Sequence, residues 1–162
     1  MKIGVYDIIN NPNPSLVEIK IISIKGFNLL SDSAIVDMFN TYLYMDKLSS
    51  EHIYALSLNY DCKPNGIIQV AIGKSDGCEC NLKQLATGLL LTGAEQFMCF
   101  HNHPGGVKSI SYDDCELTKK YRKLGELLDI TFLKHIMITK DYYTICEEVD
   151  EGKYVFGTEV EL

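Results

Sequence analysis

The stretch that most narrows what this chain can become is Gln96-Phe97-Met98-Cys99-Phe100-His101-Asn102-His103-Pro104-Gly105-Gly106. Gln96 to Phe100 is apolar enough to be a buried strand. Pro104 ends it, because proline cannot donate to a central ladder, and the glycine pair permits a sharp turn. A strand ending in His-x-His points both imidazoles to one face, since side chains alternate with a period of two. The chain can then fold back and bring Ser111 and Asp114 toward the histidines. Two imidazoles and a carboxylate make a three-ligand zinc site with a fourth position left for water. A plainer reading stands beside this one. His-Asn-His is then a polar strand end, and Ser111-x-x-Asp114 a helix capping box. The two are compatible, since a serine can cap the helix whose first turn carries a ligand. Contiguous His-Asn-His is no sign of the nuclease motif of that name, which is dispersed along a chain.

Composition limits the function classes. A length of 162 residues is the size of one domain with a full core. No stretch approaches a membrane span and the N-terminus lacks an apolar signal core, so a cytoplasmic location is expected. The six cysteines then read as reduced thiols. Cys78 and Cys80 form a close pair without a second pair at zinc-finger spacing, and Cys99 reads as a small core residue. The net charge is −7 with Arg122 as the single arginine, which disfavours nucleic acid as a direct partner. The basic run from Lys119 to Lys123 reads as a solvated helix face.

Taken in order, residues 3–9 and 16–24 are β-branched and apolar around an Asn/Pro loop, a strand–loop–strand signal. The pair is either a ribbon on the main sheet or an arm for a homodimer. Gly26 marks a break, and Ser33 precedes Ile35, Met38, Phe39, Tyr42 and Leu43 at helical spacing, which predicts a serine-capped amphipathic helix. Glu51 opens a strand through Leu58, with a partner strand from Ile67 to Ile72 and a polar loop from Ser75 to Cys80. Leu82, Leu85, Ala86, Leu89 and Leu90 form one helix face, ended by Gly93. After the histidine strand, Leu117, Tyr121, Leu124 and Leu128 mark a third helix. Asp129 to Thr139 and Tyr142 to Cys146 read as strands, and an acidic tail follows, in which Tyr154-Val155-Phe156 can still pack. The order ββ-α-ββ-α-β-α-ββ predicts an α/β domain with a mixed β-sheet flanked by helices.

The full spacing from His101 and His103 through Ser111 to Asp114 resembles the signature of the JAMM (MPN-plus, or JAB) zinc metalloproteases. The letters His-Asn-His-Pro-x-Gly resemble the RadC-like branch of that superfamily. The resemblance runs from about Ser31 to Cys146 and implies a cytidine-deaminase-like JAB/MPN fold. It implies domain limits of 31–148, preceded by a strand pair in 1–30 and followed by the tail in 149–162. It also implies Zn2+ held by His101, His103 and Asp114. Glu51 stands where the family carries a glutamate, after the first helix and at the start of the next strand. That glutamate is the general base, and Ser111 an oxyanion donor. His52 should face away from Glu51's side, and His135 should be a core residue or a support for a ligand.

Three departures are visible. A strand pair replaces the usual RadC helix-hairpin-helix region. Val107-Lys108-Ser109-Ile110 replaces the common Asp-Pro-Thr-Pro run. Lys134-His135 stands where Asp-His is frequent. The activity implied is zinc-dependent hydrolysis of a peptide or isopeptide bond in a peptide or protein-conjugate substrate. The alternatives are a non-catalytic scaffold module and a RadC-like accessory protein of DNA repair.

Overall fold

The computed structural model describes residues 1–10, 12–24, 31–74, 78–146 and 160–161. The expected break at Gly26, the first part of the polar loop and the Tyr154–Phe156 segment lie outside the described residues. The elements are β1 (Lys2–Asn10), β2 (Pro14–Ser23), α1 (Asp32–Leu43), β3 (His52–Leu58) and β4 (Pro64–Ile72). They continue with α2 (Leu82–Leu91), β5 (Gln96–Asn102), α3 (Tyr112–Leu128), β6 (Thr131–Thr139), β7 (Tyr142–Ile145) and β8 (Val160–Glu161). The strands form one sheet in the order β2-β1-β4-β3-β5-β6-β7-β8. It is mixed: β1 runs parallel to β4 and β5 to β6, while the remaining neighbours are antiparallel.

The histidine strand is interior, between β3 and β6, and both its faces are covered, which is why it reads as a continuous apolar run. On one face Phe39 of α1 stacks on Phe100, ring centroids 4.0 Å apart, amid Val36, Leu56 and Met98. On the other, Leu85 and Leu89 of α2 and Tyr121 of α3 pack with Phe97, Cys99 and Ile53. His101 has the parity of Phe97 and Cys99, so it faces the α2/α3 side. The N-terminal hairpin lies on the main sheet, with Val5 paired to Ile67 and Tyr6 to Ile68.

The element order through β7 matches the sequence reading, with local differences at the ends, and the short β8 falls in the acidic tail, where the sequence reading places no strand. Ser31, not Ser33, caps α1: its backbone is extended and its hydroxyl accepts from Ala34 N. Ser33 already lies inside the helix, where it shares a 2.7 Å hydrogen bond with Ser31. Asp129 is a left-handed C-cap (φ 56°) rather than the start of β6. β4 starts earlier than Ile67, at Pro64, a residue tolerated at the first position of a strand.

Gly125 lets α3 run tight against the chain that leaves it. A Cβ there would stand 2.5 Å from the carbonyl oxygen of Ile130 and 3.3 Å from Phe97. Backbone cannot swing aside, so Gly125→Ala should destabilise the fold by about 1–3 kcal/mol, the usual penalty of overpacking. A thermal melt should fall by about 2–4 °C per kcal/mol. Gly105→Ala, with nothing within 4 Å of its Cβ, should leave the melt unchanged.

Candidate metal centre

His101 is buried near the end of β5, and His103 lies one residue past it. His103 N still donates to Ile138 O at 2.9 Å, so β6 holds the departing chain in place. The chain then turns: Gly106, at φ +72°, donates its N–H to His103 O at 3.0 Å. The turn aims Val107 O at His103 Nδ1, 3.0 Å away. A carbonyl only accepts, so Nδ1 carries the proton and Nε2 of His103 presents a lone pair. α3 begins with the expected capping box. Ser111 Oγ accepts from Asp114 N at 3.1 Å, while Ser111 N donates to Asp114 Oδ2 at 2.8 Å. The Ser111 hydroxyl also donates to Oδ2, at 2.7 Å. Asp114, in the first turn, is thereby locked with its carboxylate toward the histidines, and the helix N-terminus favours its charge.

The three groups converge. His101 Nε2 and His103 Nε2 are 3.1 Å apart. Asp114 Oδ1 is 3.2 Å from the first and Oδ2 3.6 Å from the second. Ligand atoms held tetrahedrally at zinc–nitrogen distances of 2.0–2.1 Å would stand about 3.3–3.4 Å apart. The donor set and its spacing therefore fit a divalent ion such as zinc. The electrostatics agree. Burial alone would raise the Asp114 pKa, but the adjoining His101 and His103 rings and the Ser111 hydroxyl hold it far below the usual carboxylate range. For His103, burial pushes downward, and Asp114 with the Val107 carbonyl outweighs it and raises the pKa. Electron-rich atoms this close need positive charge among them, which a bound cation or a proton supplies.

A second group, His101, His135 and Cys146, is wholly buried. It fits a metal less well. His101 Nδ1 is already bonded to His135 Nε2 at 2.8 Å, and burial raises the Cys146 thiol well above its ordinary pKa. Burial likewise holds His135 well below the ordinary histidine value, with His101 adding to the effect. The other nitrogen of His135 meets Thr118 Oγ1 at 2.8 Å. His135 is thus a hydrogen-bonded core residue behind a candidate ligand.

Glu51 lies just before β3. Ile53 pairs with His101, so Glu51, two residues earlier, shares that face and extends the register toward His103. It lines an open cavity of about 830 Å³ together with His103, Ser111 and Asp114. Burial raises its pKa, partly offset by His101 and His103 and reinforced by Asp114. His52 points the other way, its ring beside Tyr54 and its Nε2 3.0 Å from Ser50 Oγ. Cys78 and Cys80 line the cavity as protonated thiols. Burial, then Glu51 and Cys80, push Cys78 up to about 11.

Two participants escape a sequence reading. Asn102, between the histidines, accepts from His52 N at 2.8 Å and donates to Ser50 O at 3.1 Å, gripping the backbone on both sides of Glu51. Thr118 is one helical turn beyond Asp114 and reaches His135; its i, i+4 relation to a ligand was the available signal.

A mixed sheet covered by helices on both faces, with two histidines at the end of an inner strand and an aspartate opening the next helix, defines a JAB-type domain. The chain belongs to the RadC-like JAB domain family, whose model matches residues 30–151. Among curated proteins it is similar to a UPF0758 protein of Flavobacterium johnsoniae, 34% identical over 107 residues, covering 65% of this chain and 45% of that one. A UPF0758 protein of Listeria monocytogenes serovar 1/2a is 32% identical over 104 residues, covering 62% and 45%. One of Coprothermobacter proteolyticus is 29% identical over 93 residues, covering 57% and 40%. The chain spans less than half the length of these relatives, whose names state no activity. JAB domains commonly bind zinc, and membership points to metal-dependent hydrolysis or a role allied to DNA repair. Among the described residues no helix is long and apolar enough to cross a membrane.

Metal-free protein titrated with a divalent ion should bind one equivalent per chain. His103→Ala and Asp114→Ala should lose that binding, and Cys146→Ser should keep it. Retention in His103→Ala with loss in Cys146→Ser would move the metal to the buried group.

Proposed function

We propose that this chain is a zinc-dependent hydrolase of amide bonds, acting on a peptide or on an isopeptide linkage of a protein conjugate. The observation that carries the reading is the convergence of His101, His103 and Asp114, the last two lining an open cavity beside a half-buried carboxyl, Glu51, whose pKa is raised. Zinc held by those three residues would polarise the scissile carbonyl and acidify a water at the open position.

Glu51 is the proton carrier. Its carboxylate takes a proton from the attacking water as the new C–O bond forms. It returns that proton to the amide nitrogen as the C–N bond breaks, leaving a carboxylate and an amine. Burial supports this role, because it brings the affinity of the carboxyl for a proton closer to that of its exchange partners. Asn102 and the paired backbone of Glu51, which donates to Lys74 O at 2.9 Å, hold the base in place. Ser111 orients Asp114 in the resting geometry. Turning its hydroxyl from Asp114 toward the cavity makes it a donor to the developing oxyanion, a role worth ~2.7–4 kcal/mol for comparable donors. Leu82, Val107 and Leu117 provide apolar wall for the substrate. Direct contact with nucleic acid is disfavoured by the net charge of −7.

The decisive comparison uses three variants and a library of peptide and isopeptide conjugates. Glu51→Gln should retain zinc and lose about 10²–10⁴-fold in turnover, because it keeps size but not basicity. Ser111→Ala should retain zinc and lose less. Asp114→Ala should lose the metal. If Glu51→Gln and wild type are equally inert across the library while both hold zinc, the domain is a non-catalytic scaffold.

A further inference from the structure

Behind the cavity, four groups form a closed chain of short contacts. Thr118 Oγ1 donates to the backbone oxygen of Asp114 at 2.7 Å. The same Oγ1 lies 2.8 Å from His135 Nδ1, and His135 Nε2 lies 2.8 Å from His101 Nδ1. All four residues are buried: Thr118 and His101 are each 1% exposed, His135 0% and Asp114 7%. Water therefore has little access to substitute for a missing partner.

The proton inventory of this chain has one consistent solution with Thr118 so aimed. A hydroxyl has a single proton, and that of Thr118 is on the Asp114 carbonyl. Toward His135 it can only accept, so His135 Nδ1 carries hydrogen. In the neutral ring His135 Nε2 is then an acceptor. It faces His101 Nδ1, which must donate. His101 is left with its Nε2 lone pair directed at Asp114 and His103, the form a metal ligand requires. The opposite tautomer of His135 would put hydrogen on His101 Nε2, in the place of the ion. The relay also begins and ends on the ligand set, joining the helix that carries Asp114 to the ring of His101.

We propose that His135 and Thr118 are positioning residues for the metal centre: together they set the tautomer of His101 and hold its ring against the start of α3. The proposal rests on the metal reading given above. It makes the affinity for zinc, rather than turnover alone, depend on a hydroxyl that never touches the ion.

The test measures zinc affinity by competition with a chromophoric chelator, alongside thermal melts and nitrogen-15 NMR of the histidine rings. Thr118→Val preserves shape and removes the acceptor, and should weaken zinc binding about 10–100-fold, the usual cost of losing a partner behind a ligand. Thr118→Ser should restore it. His135→Gln, whose amide can accept from His101 and donate to Thr118, should bind more tightly than His135→Phe. Zinc-loaded wild type should show the His101 proton on Nδ1. Undiminished affinity in a folded Thr118→Val variant would overturn the relay, and so would a serine variant as weak as the valine one. A His101 proton on Nε2 would do the same. A wild type that takes up no zinc would instead overturn the metal reading on which the relay rests.

Discussion

Two imidazole nitrogens and a carboxylate, gathered within 4.8 Å and largely buried at the wall of an open cavity, define the problem that the surrounding residues solve. Left alone, that much electron density repels, and burial removes the water that would screen it. Each neighbouring contact aims lone pairs inward and protons outward. Val107 O accepts a hydrogen bond from the outer N–H of His103, and Ser111 braces Asp114. His135 lies behind His101. The scaffold matches that demand. An interior strand covered on both sides gives His101 a rigid seat, and the parallel step from β5 through α3 to β6 returns the chain so that Asp114 opens a helix beside it.

How much of this the sequence reveals depends on the range of the interaction. The His-x-His spacing, the capping box and the amphipathic helices are short-range facts, and the structure realises each of them. The sheet order is long-range, yet the mixed α/β class follows from the alternation of elements. Errors fall at the ends, where neighbouring residues compete for one role. Ser31 and Ser33 both suit an N-cap, and backbone conformation decides between them. Asp129 reads as a strand start, but its positive φ makes it the cap of the preceding helix. Asn102 and Thr118 escape a sequence reading because their partners come from distant parts of the chain: Ser50 and His52 in one case, His135 in the other.

Lys134 belongs to the same long-range class. It stands where the sequence resemblance leads one to expect an aspartate. In the structure its ammonium bridges both oxygens of Asp32 in α1, at 2.8 and 2.7 Å. The pair is part-exposed and worth ~0–1 kcal/mol. The pair ties β6 to the start of α1, where no local pattern would point to it.

The ligands and the candidate base reach the cavity by routes of different length. His101, His103 and Asp114 come from one short segment, whereas Glu51 is brought to them only by the pairing of β3 with β5. Closing a loop four times longer costs about 1.2 kcal/mol more in chain entropy. The larger difference is in what each closure needs. The ligand segment needs its own turn and the first turn of α3, while Glu51 needs a sheet zipped to its last rung and the Asn102 grip on the adjoining backbone. Fraying at the mouth of β3 would thus separate the base from the ligands without dispersing them. The His/Asp cluster and the placement of Glu51 beside it are, in this architecture, features with different tolerances to local unfolding.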